Sequence, residues 1–230
     1  MTDQPSAPED HILRSWRTNA APWTQAIAEQ RIESRRLITN QAIVDAVMSR
    51  APHTVLDIGC GEGWLARALA ERGVKVTGVD AIPELIDSAR RLGGGEFRTV
   101  SYDEIAAGAL TASVDVAVAN FALLGAESTE KLVAAVPKLL APDGAFIIQT
   151  LHPVVAGGDA PYKEGWRDGA WAIANLDFTD PAPWYFRPLE SWVRLLVSHG
   201  FRIVEMREPL NPQTERPASV IFVATAERRA

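Results

Sequence analysis

Between residues 24 and 49 apolar side chains recur every three to five positions, at Ile27, Ile32, Leu37, Ile38, Ile43, Val44 and Val47. That spacing collects them on one side of a 3.6-residue turn and predicts one or two amphipathic helices. A helical pattern also starts near Ile12, and it is expected to break at Pro22, which lacks the N–H the ladder needs. Residues 1–10 are polar, acidic and hold two prolines, and are expected to be disordered. Past residue 53 the period shortens. Thr54–Ile58 reads as a strand running into glycines, and residues 65–72 as a helix stopped by Gly73 in the C-cap role. Strand patterns follow at 75–79, 97–100, 114–119 and 145–151, with helices at Pro83–Leu92 and at 129–140, the latter closed by Pro142-Asp143-Gly144. Strands alternating with helices of this size predict βαβ units and a parallel sheet covered on both faces.

Residues 152–187 break the rhythm. These 36 residues are rich in Gly, Pro and Trp and show no period, so a functional loop, a lid over a ligand site, is expected. A helix over 188–199 ends at Gly200. Strand patterns at 201–206 and 218–225, joined by a polar link without a helix, then predict an antiparallel hairpin.

Composition narrows the partners. The chain has 230 residues and a net charge of −6, with no basic run longer than a pair (Arg35-Arg36, Arg228-Arg229). Nucleic-acid binders draw most of their affinity from cationic contacts to phosphate, so nucleic acid is not expected. The single cysteine, Cys60, excludes an intrachain disulfide and suits a reducing compartment. The N-terminus lacks the pattern of a signal peptide, and no apolar run approaches the roughly 20 residues of a membrane span. A cytoplasmic, soluble protein is expected, as a monomer or homodimer.

The local sequence with most chemistry is Val55-Leu56-Asp57-Ile58-Gly59-Cys60-Gly61-Glu62-Gly63-Trp64. Glycines between a strand and a helix accept positive φ and let a ligand approach the backbone, and the helix turns its free N–H groups toward that ligand. Asp80 stands 21 residues after Gly59, where a carboxylate can accept from both ribose hydroxyls of an adenosine. The dinucleotide pattern G-x-G-x-x-G would place its third glycine at Trp64, which obstructs close packing. The acidic residue followed by alternate glycines resembles motif I of the class I S-adenosylmethionine-dependent methyltransferases. The resemblance spans residues 54–225.

It implies a Rossmann-like α/β fold with a seven-stranded, mostly parallel sheet, an antiparallel last strand and helices on both faces. It implies S-adenosyl-L-methionine as cofactor and S-adenosyl-L-homocysteine as product. By resemblance Asp57, Gly59, Gly61 and Gly63 form the methionine-side loop, which includes Cys60, itself read as a small packing residue. Asp80 takes the ribose, Ala81 lies beside the adenine, Tyr102 and Asp103 flank its edge, and Asn120 and Phe121 meet cofactor and acceptor. Tyr102 and Phe121 read equally well as core residues. One domain over 1–230 is expected, with a helical cap (1–50), a cofactor-binding core (54–151), a lid (152–187) and a C-terminal helix and hairpin (188–226).

A small-molecule acceptor is favoured. The stretch after the fourth strand, Asn120-Phe121-Ala122-Leu123, lacks the N-P-P-Y-type sequence of adenine-amine and glutamine methyltransferases. Five of the seven tryptophans, Trp16, Trp23, Trp166, Trp171 and Trp184, lie in the N-terminal segment and the lid. There they can wall an apolar acceptor or simply pack the lid. Trp16, Trp23, Trp166, Tyr185 and Arg187 are the substrate-side candidates. Glu208 and Arg216 are further ones. Trp16…Asn19-Ala20…Trp23, Glu33-Ser34-Arg35-Arg36, Leu151-His152-Pro153 and Tyr185-Phe186-Arg187 resemble a type-11, ubiquinone-biosynthesis-like subgroup of small-molecule methyltransferases. O-methylation is expected, with N-methylation as the near variant and a non-catalytic binding module as the alternative. His152, directly after the fifth strand, is the candidate general base. No Cys/His cluster has metal-ligand spacing, so no metal is expected.

Overall fold

The computed structural model describes residues 7–169 and 178–227. Trp171 and residues 1–6 lie outside the described residues. A seven-stranded sheet is built from β1 (Thr54–Ile58), β2 (Lys75–Asp80), β3 (Glu96–Thr99), β4 (Val114–Asn120), β5 (Leu140–Thr150), β8 (Phe201–Arg207) and β9 (Val220–Ala226). Its order is β3-β2-β1-β4-β5-β9-β8. The first five strands run parallel. β9 is antiparallel to both neighbours, as the terminal hairpin pattern predicts.

Helices cover both faces, and strand alternation decides which residue meets which layer. On β5, Ala145 and Ile147 join a core with Ile43, Val44 and Val47 of α2 (Asn40–Met48), Leu65 and Leu69 of α3 (Trp64–Ala70) and Ile86 of α4 (Pro83–Leu92). Phe146 and Ile148 face the opposite core. That core receives Ile105 of α5 (Tyr102–Ala106), Leu132 and Val133 of α6 (Glu127–Ala135) and Trp192, Leu195 and Leu196 of α8 (Leu189–Ser198). Each such side chain, fully buried, stabilises the fold by about 1.5–3 kcal/mol.

Three local expectations are corrected. Helix α1 spans Ala7–Ala28, so residues 7–10 are helical, and Pro22 lies inside the helix without ending it. α5 was not expected. It is started by a capping box in which the Ser101 hydroxyl accepts from Glu104 N–H while the Glu104 carboxylate accepts from Ser101 N–H. The lid holds a two-stranded ribbon, β6 (Gly165–Arg167) antiparallel to β7 (Trp184–Phe186), and a short helix α7 (Pro153–Ala156).

Candidate active site

The strand order reverses direction between β1 and β4, and ligands of open α/β sheets bind over the C-terminal ends of the strands at such a point. A cavity of about 580 Å³ lies there, lined by Gly59 after β1, Asp80 at the end of β2, Ser101 after β3, Asn120 at the end of β4 and Thr150 at the end of β5. α1 and the lid ribbon close it from the other side, through Trp16, Trp23, Trp184 and Tyr185.

The glycine loop forms one wall. Gly59, Gly61 and Gly63 hold φ of +71°, +57° and +82°. A Cβ on Gly59 would stand 2.4 Å from the Ala122 Cβ and 2.8 Å from the Tyr102 hydroxyl, and one on Gly63 would stand 2.9 Å from the Phe97 ring. Those two glycines therefore let the loop pack against the body. Gly61 lines the cavity, and a Cβ there would meet only the Trp23 Nε1, at 3.6 Å, an ordinary van der Waals contact.

Asp80 ties the loop to β2. Gly61 N–H donates to its Oδ2 and Ile82 N–H to its Oδ1, both at 2.9 Å. Burial raises its pKa to about 6 against those bonds. Asp57 lies beneath the loop with Oδ2 unpartnered among the described residues. Burial, then the neighbouring Glu62 and Asp80 carboxylates, push it up to about 8, with Arg35 opposing. Glu62 is also raised by burial, although Arg67 pairs with it at 3.2 Å. Arg35 enters this cluster from the π-helical segment Arg35–Thr39 that leads into α2, near the rings of Trp23 (5.2 Å) and Trp64 (4.9 Å). Its Nε donates to Asn40, its Nη2 has no partner among the described residues, and burial lowers its pKa to about 10.

Of the sequence candidates, Cys60, Gly61, Asp80, Ala81 and Asp103 line the cavity on the glycine-loop side. Tyr102, Asn120 and Phe121 line it beside Ala122. The Tyr102 hydroxyl donates to Ala122 O at 3.2 Å, and Phe121 holds a φ of +53°, a strained conformation for a non-glycine residue. Trp16, Trp23, Tyr185 and Arg187 also line it, whereas Asp57 and Gly63 sit behind the wall. Trp166 does not reach the cavity; it packs edge-on against Tyr185 at 5.3 Å.

His152 is also placed elsewhere. Leu151 and Pro153 line the cavity, but the His152 ring caps α7, with Nδ1 accepting from Val154 N–H and Nε2 2.7 Å from Glu208 Oε1. It borders an adjoining hollow with Val155, Arg167 and Asp168, which shares Leu151, Trp184 and Ala218 with the cavity. The His152 ring is buried beside the cavity without lining it directly. Arg216, like Glu208, is exposed on the β8–β9 link. Glu9, Arg35 and Glu62 line the cavity without having been assigned a role, although Arg35 lies in the Glu33-Ser34-Arg35-Arg36 stretch and Glu62 in the glycine loop.

The sheet order, the antiparallel β9 and the cavity over the parallel strand ends define the class I methyltransferase type of α/β protein. A model of the methyltransferase domain family matches residues 27–206, and the chain belongs to that family. A ubiquinone biosynthesis O-methyltransferase of Xanthomonas oryzae pv. oryzae is 32% identical over 114 residues, 47% of this chain and 47% of that protein. An uncharacterized methyltransferase of Mycobacterium bovis is 34% identical over 110 residues, 47% of this chain and 56% of that protein. The chain spans about half the length of the curated relatives it matches. The crystal structure of Burkholderia thailandensis 1,6-didemethyltoxoflavin-N1-methyltransferase with 1,6-didemethyltoxoflavin and S-adenosylhomocysteine superposes with a TM-score of 0.67. The match covers 99% of this chain and 94% of that one at 21% identity, a likeness of fold. Among the described residues no helix is long and apolar enough to cross a membrane, and no group of His, Cys, Asp and Glu could hold a metal ion.

Proposed function

We propose that the chain binds S-adenosylmethionine against the glycine loop and transfers its methyl group to a small-molecule acceptor held under α1 and the lid. The observation that carries this reading is the positive-φ glycine loop lining the cavity beside the Asp80 carboxylate, to which Gly61 N–H donates. The residues present fit the cofactor. Asp80 offers two carboxylate oxygens for ribose hydroxyls, and the Arg35 guanidinium, with a free Nη2 among the described residues, is a donor for a carboxylate. Glu62, which lines the cavity, supplies an acceptor for an ammonium group, its Oε2 being unpartnered among the described residues.

When bound, the cofactor supplies an electrophilic methyl group whose leaving group is a neutral thioether. The chain's own task is then placement and exclusion of water. Holding an acceptor in line lowers the barrier by proximity. Trp16, Trp184 and Phe121 provide the apolar walls that exclude water there. We take the acceptor atom to be oxygen, as the name of the Xanthomonas relative supports. Nitrogen is the second reading, favoured by the full-length likeness to an N1-methyltransferase. A cytoplasmic location is supported by the single, buried cysteine.

Calorimetric titration with S-adenosylhomocysteine and with NAD tests the cofactor. Micromolar binding of the first alone, weakened roughly ten- to hundredfold by Asp80→Ala, is expected from the loss of charged hydrogen bonds. Binding of NAD alone would overturn it.

A further inference from the structure

On the side of β4 and the lid, the cavity wall is mostly apolar, with Phe121, Leu123, Leu124, Leu151 and Trp184. Two charged side chains interrupt it, Glu9 and Arg187. Arg187 is already engaged. Its Nη1 donates to Gly125 O at 2.9 Å and its Nη2 to Ala126 O at 2.8 Å, while Nε stands 3.9 Å from Glu164.

Glu9 differs. It is only 9% exposed. Its Oε1 accepts from Ala126 N–H at 2.8 Å and Ser128 N–H at 3.3 Å. Gly125 makes room for it, since a Cβ there would stand 2.9 Å from that oxygen. The other oxygen, Oε2, has no hydrogen-bond partner among the described residues. Oε2 is not among the atoms shut away from solvent, so it opens to the cavity with lone pairs that no protein group takes. A ligand that brings a donor would fill that position. The charge balance points the same way, because the Arg187 cation is faced by Glu9, Glu130 and Glu164. No cation on this side of the cavity, among the described lining residues, remains for an anionic ligand.

We propose that Glu9 is the acceptor-anchoring residue: its Oε2 takes a hydrogen bond from an O–H or N–H group of a planar, apolar, uncharged acceptor, and the site refuses carboxylates. This rests on the methyl-transfer reading, which places the acceptor in this part of the cavity.

The test uses 2-naphthol, naphthalene and 2-naphthoate as probes, titrated calorimetrically into the intact protein with and without S-adenosylhomocysteine. One charged hydrogen bond corresponds to about tenfold or more in affinity, so 2-naphthol should bind at least that much more tightly than either of the others. Glu9→Gln keeps an oxygen for the Ala126 and Ser128 N–H groups but turns an amide N–H₂ to the ligand. It should erase the preference for 2-naphthol over 2-naphthoate, with the melting temperature as the folding control. Should that variant not fold, the ranking in the unaltered protein still decides. No binding of 2-naphthol, equal binding of 2-naphthoate, or a Gln variant that keeps the preference would overturn the proposal. Failure of S-adenosylhomocysteine to bind while the ranking holds would instead sink the methyl-transfer reading.

Discussion

Asp80 is half-buried, accepts two backbone N–H bonds and faces the cavity. Its pKa of about 6, and that of Asp57 at about 8, both lie above the usual carboxylate range. With folded values raised, the folded chain holds protons that the unfolded chain has released, so these two groups make stability fall as pH rises between about 5 and 8. Asp115, Glu104 and Glu205 have lowered values, and their opposite effect is complete below that window. Ribose hydroxyls donating to Asp80 would favour its ionised form. The dissociation constant of S-adenosylhomocysteine should therefore fall about fivefold from pH 5 to 6, about tenfold from pH 5 to 7, and level off above that. Calorimetry across that range checks it; a flat profile in the unaltered protein, or one unchanged in Asp80→Asn, would remove Asp80 from the site. The Gly59–Gly63 loop and Asp80 were legible because alternate glycines after a strand answer a backbone demand that leaves a mark in sequence. Arg35 and Glu9 were not. Each stands beside a like charge, Asp10 or Arg36, from which nothing in the sequence separates it, and it matters only because tertiary packing buries it.

Helices and strands longer than about five residues were legible from their periods, and the misread elements are those governed by contacts from elsewhere. Pro22 removes a ladder bond and costs an isolated helix about 3 kcal/mol. α1 runs through it because Leu13, Trp16 and Trp23 pack on Ile82 and Leu85, and Asn19 exchanges hydrogen bonds with the Thr179 backbone. The β6–β7 ribbon has strands of three residues each, too short for a period to show. It is pinned by Arg187, beside β7, whose guanidinium holds the two carbonyls before α6. Arg187→Ala would leave those carbonyls and Glu164 without their partner, at about 2–4 kcal/mol. Limited proteolysis should then cut the lid region faster, and urea unfolding should show the loss. A variant as resistant and as stable as the parent would mean the ribbon is held by its aromatic contacts alone.

The whole molecule divides by what its sequence can announce. Two cores, one on each sheet face, follow from alternation along strands such as β5, and the parallel architecture follows from the βα repeat. The cavity does not, because its far wall comes from α1 and the lid, whose placement over the strand ends depends on side chains distant in sequence. That arrangement has a consequence for ligand binding. A cofactor seated on the glycine loop would also touch Trp23 and Trp16 of α1, since those rings pack together at 5.0 Å and Trp23 stands against Gly61. Ligand binding should then tighten α1 against the sheet and not merely order the loop. At a hundredfold excess over the dissociation constant, S-adenosylhomocysteine should raise the melting temperature by about 5–10 °C. Hydrogen exchange should slow in both the glycine loop and α1, while the β8–β9 hairpin, which lies away from the cavity at the sheet edge, should change little. Slowing confined to the glycine loop would show that α1 closes the cavity whether or not the ligand is there, and that the cap belongs to the acceptor alone.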